Sequence, residues 1–229
     1  MTALKYSAAN KDTLYLFRPK DPLAALSHFI GFLAAIALTP VLLIRAASSD
    51  VSLLGMSVFL WSAILLYGAS SAWHSFDISP RINLVLKRLD HLSIFLLIAG
   101  SYTPFCLEVI PGLKGKVILI AVWTLAVLGM AIKYFAIYCP RWVSSLIYIG
   151  MGWVALFSLP ELFSGLGLRG FLWLLSGGIS YTIGGIIYGL KIDLFHGRHP
   201  AFGNHELFHL FVLGGTLCHY LCLYFFVCI

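Results

Sequence analysis

Charged residues are scarce in this sequence of 229 residues. Asp, Glu, Lys and Arg together make up 10% of it, whereas 60% of the residues are hydrophobic. Soluble domains contain about 25% charged residues, because a chain folded in water needs a polar surface. The scarcity of charge excludes an ordinary soluble protein and indicates that lipid covers most of the surface. The excess of 15 Lys and Arg over 9 Asp and Glu indicates basic loops beside anionic lipid, and we expect no nucleic-acid partner.

A secretory signal and paired cysteines are also missing. The first 22 residues have no apolar core followed by a small-residue cleavage site, so we expect the first helix to be retained. We predict a cytoplasmic segment at 1–22 and a single membrane domain at 23–229. The five cysteines form no CxxC pair and have apolar surroundings, which predicts buried free thiols.

Long apolar stretches without acidic residues dominate the rest of the chain. A helix needs about 20 mainly apolar residues to cross the hydrocarbon layer of a bilayer. Seven stretches approach this length: Leu23–Ile44, Val51–Trp73, Leu92–Leu107, Val117–Ile132, Val143–Leu159, Phe171–Leu190 and Leu207–Ile229. The pattern predicts an all-α integral membrane protein, a multi-pass bundle of seven transmembrane helices.

The basic residues are distributed unequally between the two sides of this map. Eleven of the 15 Lys and Arg residues lie on the side of the amino terminus and four on the opposite side. Cytoplasmic loops carry the excess of Lys and Arg in membrane proteins. We therefore predict a cytoplasmic amino terminus and an external carboxyl terminus.

A small set of polar residues lies where the predicted helices enter the membrane. Charged and histidine side chains are costly in a bilayer, so those at or within the spans are candidates for function. The set comprises Ser70, His74, Asp90, His205 and His209. They belong to spans two, three and seven and lie at the ends predicted to be cytoplasmic, so we expect them to converge.

The histidines of this set have the spacing of metal ligands. His205 and His209 are four residues apart, which places both imidazoles on one face of a helix, and His74 can supply a third nitrogen. Three histidines leave a fourth tetrahedral position for water, the open coordination of catalytic zinc. Ser70 lies one helical turn before His74, and Asp90 can orient the water or act as general base.

Each candidate also has a structural interpretation. Asp90 can cap a helix or pair with Arg88, and a lone interfacial His74 can be a hydrogen-bonded polar residue without a metal. The sequence HELFH also matches HExxH, in which two histidines bind zinc and the glutamate is the general base of a protease. No further motif for a third protease ligand is present, and Glu206 can instead begin the last helix, where a carboxylate suits the helix dipole.

Four segments of the chain resemble the bacterial hemolysin III family, part of the progestin and adipoQ receptor family. They are DPLAALSHFIGFLAAI (21–36), SSAWHS (70–75), RLDHLSIFLLIAGSYTPF (88–105) and HELFHLFVLGGTLCHY (205–220). The resemblance implies a seven-helix protein of the bacterial plasma membrane with a zinc ion bound by His74, His205 and His209. It also implies a wider relationship to the alkaline ceramidases, whose Ser, Asp and three-His set matches Ser70, Asp90 and the same histidines.

Three functions are compatible with these observations. The first is a zinc-dependent hydrolase of lipid amides or esters, with membrane lipids as partners and acyl chains admitted sideways between the helices. The second is a non-enzymatic sensor or homeostasis protein of the bilayer, in which zinc is structural. A pore-forming cytolysin, which the family name suggests, is disfavoured because so apolar a chain is suited to staying in a membrane.

The unequal distribution of Lys and Arg between the two sides makes the predicted topology testable. Reporter domains fused after Arg88 and after residue 200 should read as cytoplasmic, and a carboxyl-terminal fusion should read as external, because Lys and Arg near the ends of the spans set the orientation. Paired phosphatase and fluorescent-protein fusions measure this. An external signal after Arg88 would overturn the map.

Overall fold

The computed structural model describes residues 19–192 and 202–229, and every regular element in these ranges is a helix. The main helices are α1 Pro22–Ser48, α2 Leu53–Ser75, α3 Pro80–Glu108, α4 Gly112–Phe135, α5 Arg141–Gly152, α6 Leu159–Leu190 and α7 Asn204–Cys222. A 3-10 helix, Trp153–Ser158, joins α5 to α6, and a π-helix, Leu223–Val227, continues α7. The all-α class is therefore confirmed. Most of the predicted cytoplasmic segment, residues 1–18, lies outside the described residues. The stretch 193–200, which contains two histidines, also lies outside them.

Helix α3 begins earlier than the apolar pattern predicts. The third stretch was expected from Leu92, but the helix starts at Pro80, where the Ser79 hydroxyl accepts a hydrogen bond from the Ile82 amide at 3.4 Å. Proline suits this first helical position because the missing amide proton has no partner there in any case. The early start places Lys87 and Asp90 on one continuous helix with the apolar residues that follow.

The fifth and sixth predicted spans are joined in one helical segment of 50 residues, Arg141–Leu190, that turns back on itself. Gly167 interrupts the helix with φ 62° and ψ 175°, a conformation that side chains other than hydrogen rarely allow. The Trp153 indole donates to the Thr182 hydroxyl at 3.0 Å, and Gly189 packs on Ser145. From one of these contacts to the other, the residue number increases on one arm and decreases on the other, so the two arms are antiparallel.

Five helical segments of the described residues are long and apolar enough to cross a membrane by length and composition alone. The 50-residue segment counts once among them although it contains two antiparallel arms, and α3 is not among them. The prediction of seven crossings requires α3 and both arms of this segment to span the membrane. Large apolar side chains face outward, as at Ile44 (72% exposed) and Phe157 (75% exposed), which suits lipid and not water.

Consecutive helices pack side by side, and α7 returns to pack against α1 as well as α6. The contacts of α1 with both α2 and α7 bring the two ends of the described chain together. Hydrogen bonds reinforce this packing where the helices face each other: Tyr67 donates to Thr216 at 2.6 Å, and Tyr181 lies 2.7 Å from the same hydroxyl. Helices α2, α6 and α7 are thus joined around one buried threonine.

The predicted free thiols are present, although not all are buried. All five cysteines are free, and Cys106, Cys222 and Cys228 are buried. Cys139 and Cys218 are partly exposed, and Cys139 lies beside a lysine ammonium at 3.3 Å. The expectation of uniformly apolar surroundings is therefore wrong for Cys139, because the loop after α4 folds back toward a charged side chain of that helix.

Two adjacent glycines of α6 give a matched test of helix packing. A Cβ added at Gly177 would overlap the His219 ring and lie 3.0 Å from the Gly215 carbonyl oxygen, whereas one added at Gly178 would meet nothing within 4 Å. Gly177→Ala should lower the free energy of unfolding by about 1–3 kcal/mol through overpacking. Gly178→Ala should be neutral or stabilise the helix by up to about 1 kcal/mol. Thermal unfolding in detergent measures both, and equal effects would contradict the packing.

Candidate metal centre

Three histidine side chains converge where α2 ends and α7 begins. His74 belongs to the last turn of α2, and His205 and His209 to the first two turns of α7. One nitrogen of each imidazole lies within 4.8 Å of the others. The His74 and His205 Nε2 atoms are 3.0 Å apart. The spacing of four residues and the meeting of two helices together produce the cluster that the sequence predicts.

The His74 ring is oriented by Asp21, a residue that the sequence analysis assigned to the amino-terminal segment. Its carboxylate Oδ2 lies 2.8 Å from His74 Nδ1, and its backbone amide donates to the His74 carbonyl oxygen at 3.1 Å. A carboxylate that accepts a hydrogen bond from one ring nitrogen keeps the proton of a neutral imidazole on that nitrogen, which leaves the other nitrogen unprotonated. The Nε2 atom of His74 is therefore presented toward the other two histidines.

The His209 ring is held by α1. Its Nδ1 lies 3.3 Å from the Ala24 carbonyl oxygen and 3.4 Å from the Ser27 hydroxyl. The imidazole of His28 stacks on it, with ring centroids 3.7 Å apart and planes inclined by 12°. Donation of the Nδ1 proton to the carbonyl oxygen leaves Nε2 as the ligand atom, as in many zinc sites.

The donor set fits a zinc ion. Zinc binds imidazole nitrogen at about 2.0–2.1 Å in tetrahedral geometry, which places two bound nitrogens roughly 3.3 Å apart. The shortest observed separation is 3.0 Å, and His74 and His209 are only 3% and 2% exposed. Buried neutral imidazoles with their Nδ1 protons already bound to acceptors are suited to a metal, so the residues present fit the ion that the spacing suggests.

Asp90 and Ser70 lie beside the histidines. Both are buried, at 8% and 1% exposure, and both border the same cavity as the three imidazoles. Asp90 neither caps α3, which begins at Pro80, nor pairs with Arg88, which lies over the Tyr134 ring at 4.4 Å. Its ionic neighbour is His91, at 3.4 Å. Both structural interpretations of Asp90 are therefore wrong.

The Ser70 hydroxyl has no hydrogen-bond partner among the described residues, although it is fully buried. A buried hydroxyl usually has a partner, because leaving one unsatisfied costs about 1–3 kcal/mol. Ser70 is therefore free to interact with a ligand or a water molecule in the cavity.

The cavity beside the histidines has a volume of about 760 Å³, within the range of small-molecule sites. Its walls follow α3 from Lys87 to Phe105, a distance of roughly 27 Å at 1.5 Å per residue. Along α3 the lining changes from the charged Lys87 and Asp90 to mainly apolar residues between Ile94 and Phe105, although Ser101 and His219 also border this second part. A long ligand with one polar end fits this distribution.

Glu206, the middle residue of the HExxH match, has a structural role. Its Oε2 accepts a hydrogen bond from the Gly203 amide at 2.8 Å, at the start of α7. Carboxylates stabilise this end of a helix by pairing with free amides and with the dipole. The alternative that Glu206 begins the last helix agrees with this contact.

Asp21 and His28 were not among the predicted site residues. His28 is signalled in the sequence, because it is a histidine within an apolar stretch, whereas Asp21 precedes that stretch and has no such signal. Lys20, next to Asp21, lies over the Trp73 ring at 3.4 Å. Burial lowers the pKa of Lys20 against the raising effect of Asp77 and Asp21. Lys20 and Asp21 therefore place charged groups near the histidine cluster, just before α1 begins.

Comparison with known proteins places the chain among relatives of similar length. Residues 17–220 match the family model described as haemolysin-III related. Hemolysin-3 of Bacillus cereus is 36% identical over 205 residues, covering 89% of this chain and 90% of that protein. The Hemolysin-3 homolog of Bacillus subtilis (strain 168) is 35% identical over 214 residues, covering 92% and 96%.

A more distant relative connects the chain to receptor proteins. The adiponectin receptor protein of Drosophila melanogaster is 26% identical over 182 residues, which cover 71% of this chain and 40% of that protein. This match supports the relationship to the progestin and adipoQ receptors that the sequence motifs indicate. The match over 17–220 and the identity to two bacterial proteins over nine-tenths of their length show that this multi-pass membrane protein belongs to the haemolysin-III-related family.

Proposed function

We propose that the protein is a zinc-dependent hydrolase of lipid amides or esters in the bacterial plasma membrane. The observation that carries this proposal is the position of the three imidazoles. Their nitrogens lie within 4.8 Å of one another, at the polar end of a cavity that also contains Asp90 and Ser70. Metal ligands, a candidate base and a hydroxyl therefore share one space with room for a substrate.

The chain's own residues would divide the chemistry among them. Zinc held by the three histidines would supply Lewis-acid polarisation of a carbonyl oxygen and favour loss of a proton from water. The Asp90 carboxylate would accept that proton as the water oxygen bonds to the carbonyl carbon. The same proton would pass to the leaving amine or alcohol as its bond to the carbonyl carbon breaks. Ser70 would donate a hydrogen bond to the substrate oxygen.

The shape of the cavity supports a lipid substrate. Its total length of roughly 27 Å along α3 leaves room for an acyl chain along the mainly apolar part, while the carbonyl group would lie at the polar end beside the histidines. Membrane lipids are the molecules of this form that reach a bundle embedded in a bilayer. The head group is not restricted to an amide by any described contact, so the proposal includes esters.

Structural zinc is the second candidate, and one observation favours it. Asp21 ties the start of α1 to His74 on α2, and His74 meets His205 on α7. A metal at this point would join three helices and stabilise the fold whether or not a substrate enters. A membrane sensor with structural zinc would have the same ligands, so the two functions are separated by activity and not by metal content.

Zinc binding is the first test of the proposal. The purified protein should contain about one zinc per chain, and His74→Ala, His205→Ala and His209→Ala should each lose it, because two imidazoles hold zinc weakly. Asp21→Asn should weaken zinc binding by about 10–100-fold, because the carboxylate fixes the His74 ring. Elemental analysis and competition with a chelator measure these effects.

A matched control uses a histidine outside the cluster. His219→Ala should keep full zinc content, because His219 lies roughly 15 Å along α7 from His209 at 1.5 Å per residue, with its Nε2 at 3.3 Å from the Leu174 carbonyl oxygen. Full zinc in any of the three ligand variants would remove that residue from the proposed centre. Unchanged affinity in Asp21→Asn would show that the carboxylate does not support the metal.

The roles of the two carboxylates are separated by Asp90→Asn and Glu206→Gln. Each change nearly preserves shape while it removes a negative charge. Asp90→Asn should retain zinc but lose about 100-fold or more of the lipid-hydrolysing activity, the usual contribution of a general base. Glu206→Gln should be mild, because a neutral amide oxygen still accepts the Gly203 hydrogen bond. Release of fatty acid from ceramide-like and phospholipid substrates in detergent measures both.

The opposite order of effects would contradict the mechanism. If Glu206→Gln abolishes peptide cleavage while Asp90→Asn has little effect, the HExxH interpretation is correct. If neither change alters any activity and chelation lowers only the unfolding temperature, zinc is structural. Zinc content should be measured for every variant, so that loss of metal is not mistaken for loss of the base.

A further inference from the structure

A second group of polar residues borders the cavity, separate from the histidines. It consists of three cations from three helices: Lys87 of α3, Lys133 of α4 and Arg141 of α5. We call these residues the basic cluster. The charges of Lys133 and Arg141 both act on Lys87, so Lys87 lies within electrostatic range of the other two.

Lys133 is the most constrained member of the basic cluster. Lys133 is only 5% exposed. Its ammonium donates to the Ser144 hydroxyl at 2.8 Å and to the Cys139 sulfur at 3.3 Å. An ammonium has three protons to donate, and these contacts use two of them. A buried cation fixed in this way costs free energy unless a negative charge compensates it.

Such a charge is missing from the part of the chain that the structure describes. The close contacts between basic and acidic side chains found there join His74 to Asp21, His91 to Asp90 and Lys114 to Glu161, and none includes the basic cluster. The other two cations instead lie over aromatic rings, Lys87 at 4.3 Å from Tyr138 and Arg141 at 5.1 Å from Tyr188. Aromatic faces stabilise cations only partly.

The preference of cytoplasmic loops for Lys and Arg does not account for this arrangement. That preference concerns the number of basic residues near the ends of the spans, and exposed lysines satisfy it. It requires neither the burial of Lys133 nor the meeting of three helices at one cavity. Basic pockets between transmembrane helices on the cytoplasmic side are instead typical of sites for anionic head groups.

We propose that the basic cluster binds the phosphate group of an anionic lipid whose acyl chains lie in the cavity. A phosphate offers several oxygens and up to two charges to three cations, and the planar guanidinium of Arg141 matches its geometry. The apolar walls beyond the cluster favour a lipid phosphate over the free ion. This inference goes beyond the proposed function, because the phosphate would bind whether or not the histidines hold a metal.

The experiment uses the full chain in nanodiscs of phosphatidylcholine. The probes are dioctanoyl phosphatidic acid, dioctanoylglycerol with the same acyl chains, inorganic phosphate, and octanoate as a carboxylate. Binding is followed by tryptophan fluorescence, because Trp142 and Trp153 border the cavity. All titrations are repeated after chelation of metal, so that failure of the zinc proposal does not affect the result.

The phosphatidic acid should bind saturably, at least about 10-fold more tightly than dioctanoylglycerol and inorganic phosphate, and less tightly as salt is added. Lys87→Gln and Arg141→Gln should each weaken binding about 10-fold, the usual loss for one charged hydrogen bond. Lys133→Met should do the same if it folds. The matched control Lys116→Gln removes an exposed lysine outside the cavity and should leave the affinity unchanged.

Four results would overturn the proposal. Equal affinity for phosphatidic acid and dioctanoylglycerol would show that the phosphate charge is not recognised. Equal affinity for phosphatidic acid and inorganic phosphate would show that the acyl chains do not contribute to binding. Octanoate binding as tight as that of phosphatidic acid would assign the cluster to carboxylates. An equal loss in Lys116→Gln and Lys87→Gln would indicate general surface charge and not a site.

Discussion

The convergence of three imidazoles, two of them on buried residues, is the constraint on which the rest of the structure depends. Nitrogens within 4.8 Å of one another in an apolar bundle are stable only if protons, acceptors or a metal satisfy them. Asp21 and the Ala24 carbonyl oxygen accept from the Nδ1 atoms of His74 and His209. The remaining nitrogens face each other, which is the arrangement that a metal ion completes.

This constraint also explains how the ends of the described chain are joined. The acceptors come from the start of α1, whereas the ligands come from α2 and α7, so formation of the centre requires α1 and α7 to be adjacent. Their packing is observed, and the stacking of His28 on His209 adds an apolar contact at the same place. The site therefore forms only when the helices at this end of the bundle are packed together.

Much of the site was predictable from sequence because its residues are polar where lipid demands apolar side chains. His205 and His209 were found by helical spacing, and Asp90 by its cost in a membrane. Asp21 was not predicted, because a carboxylate before the first apolar stretch has no local feature that distinguishes it from a solvated loop residue. Its role follows from packing between α1 and α2, and periodicity within one helix carries no information about that packing. The start of α3 was missed for a related reason: hydropathy marks where lipid begins, whereas Ser79 and Pro80 mark where the helix begins.

The cavity bears on the choice between catalytic and structural zinc. A structural centre gains nothing from open space beside it, because protein interiors pack closely and empty apolar volume destabilises the fold. The cavity of about 760 Å³ adjoins both the histidines and the basic cluster. Its apolar walls offer water few hydrogen-bond partners. The proposed occupancy by a lipid would remove this cost, since acyl chains would fill the apolar part while polar groups of the lipid would meet the two polar clusters. A bundle built around a lipid explains the unpartnered Ser70 hydroxyl and the uncompensated Lys133 together, whereas a metal alone accounts for neither.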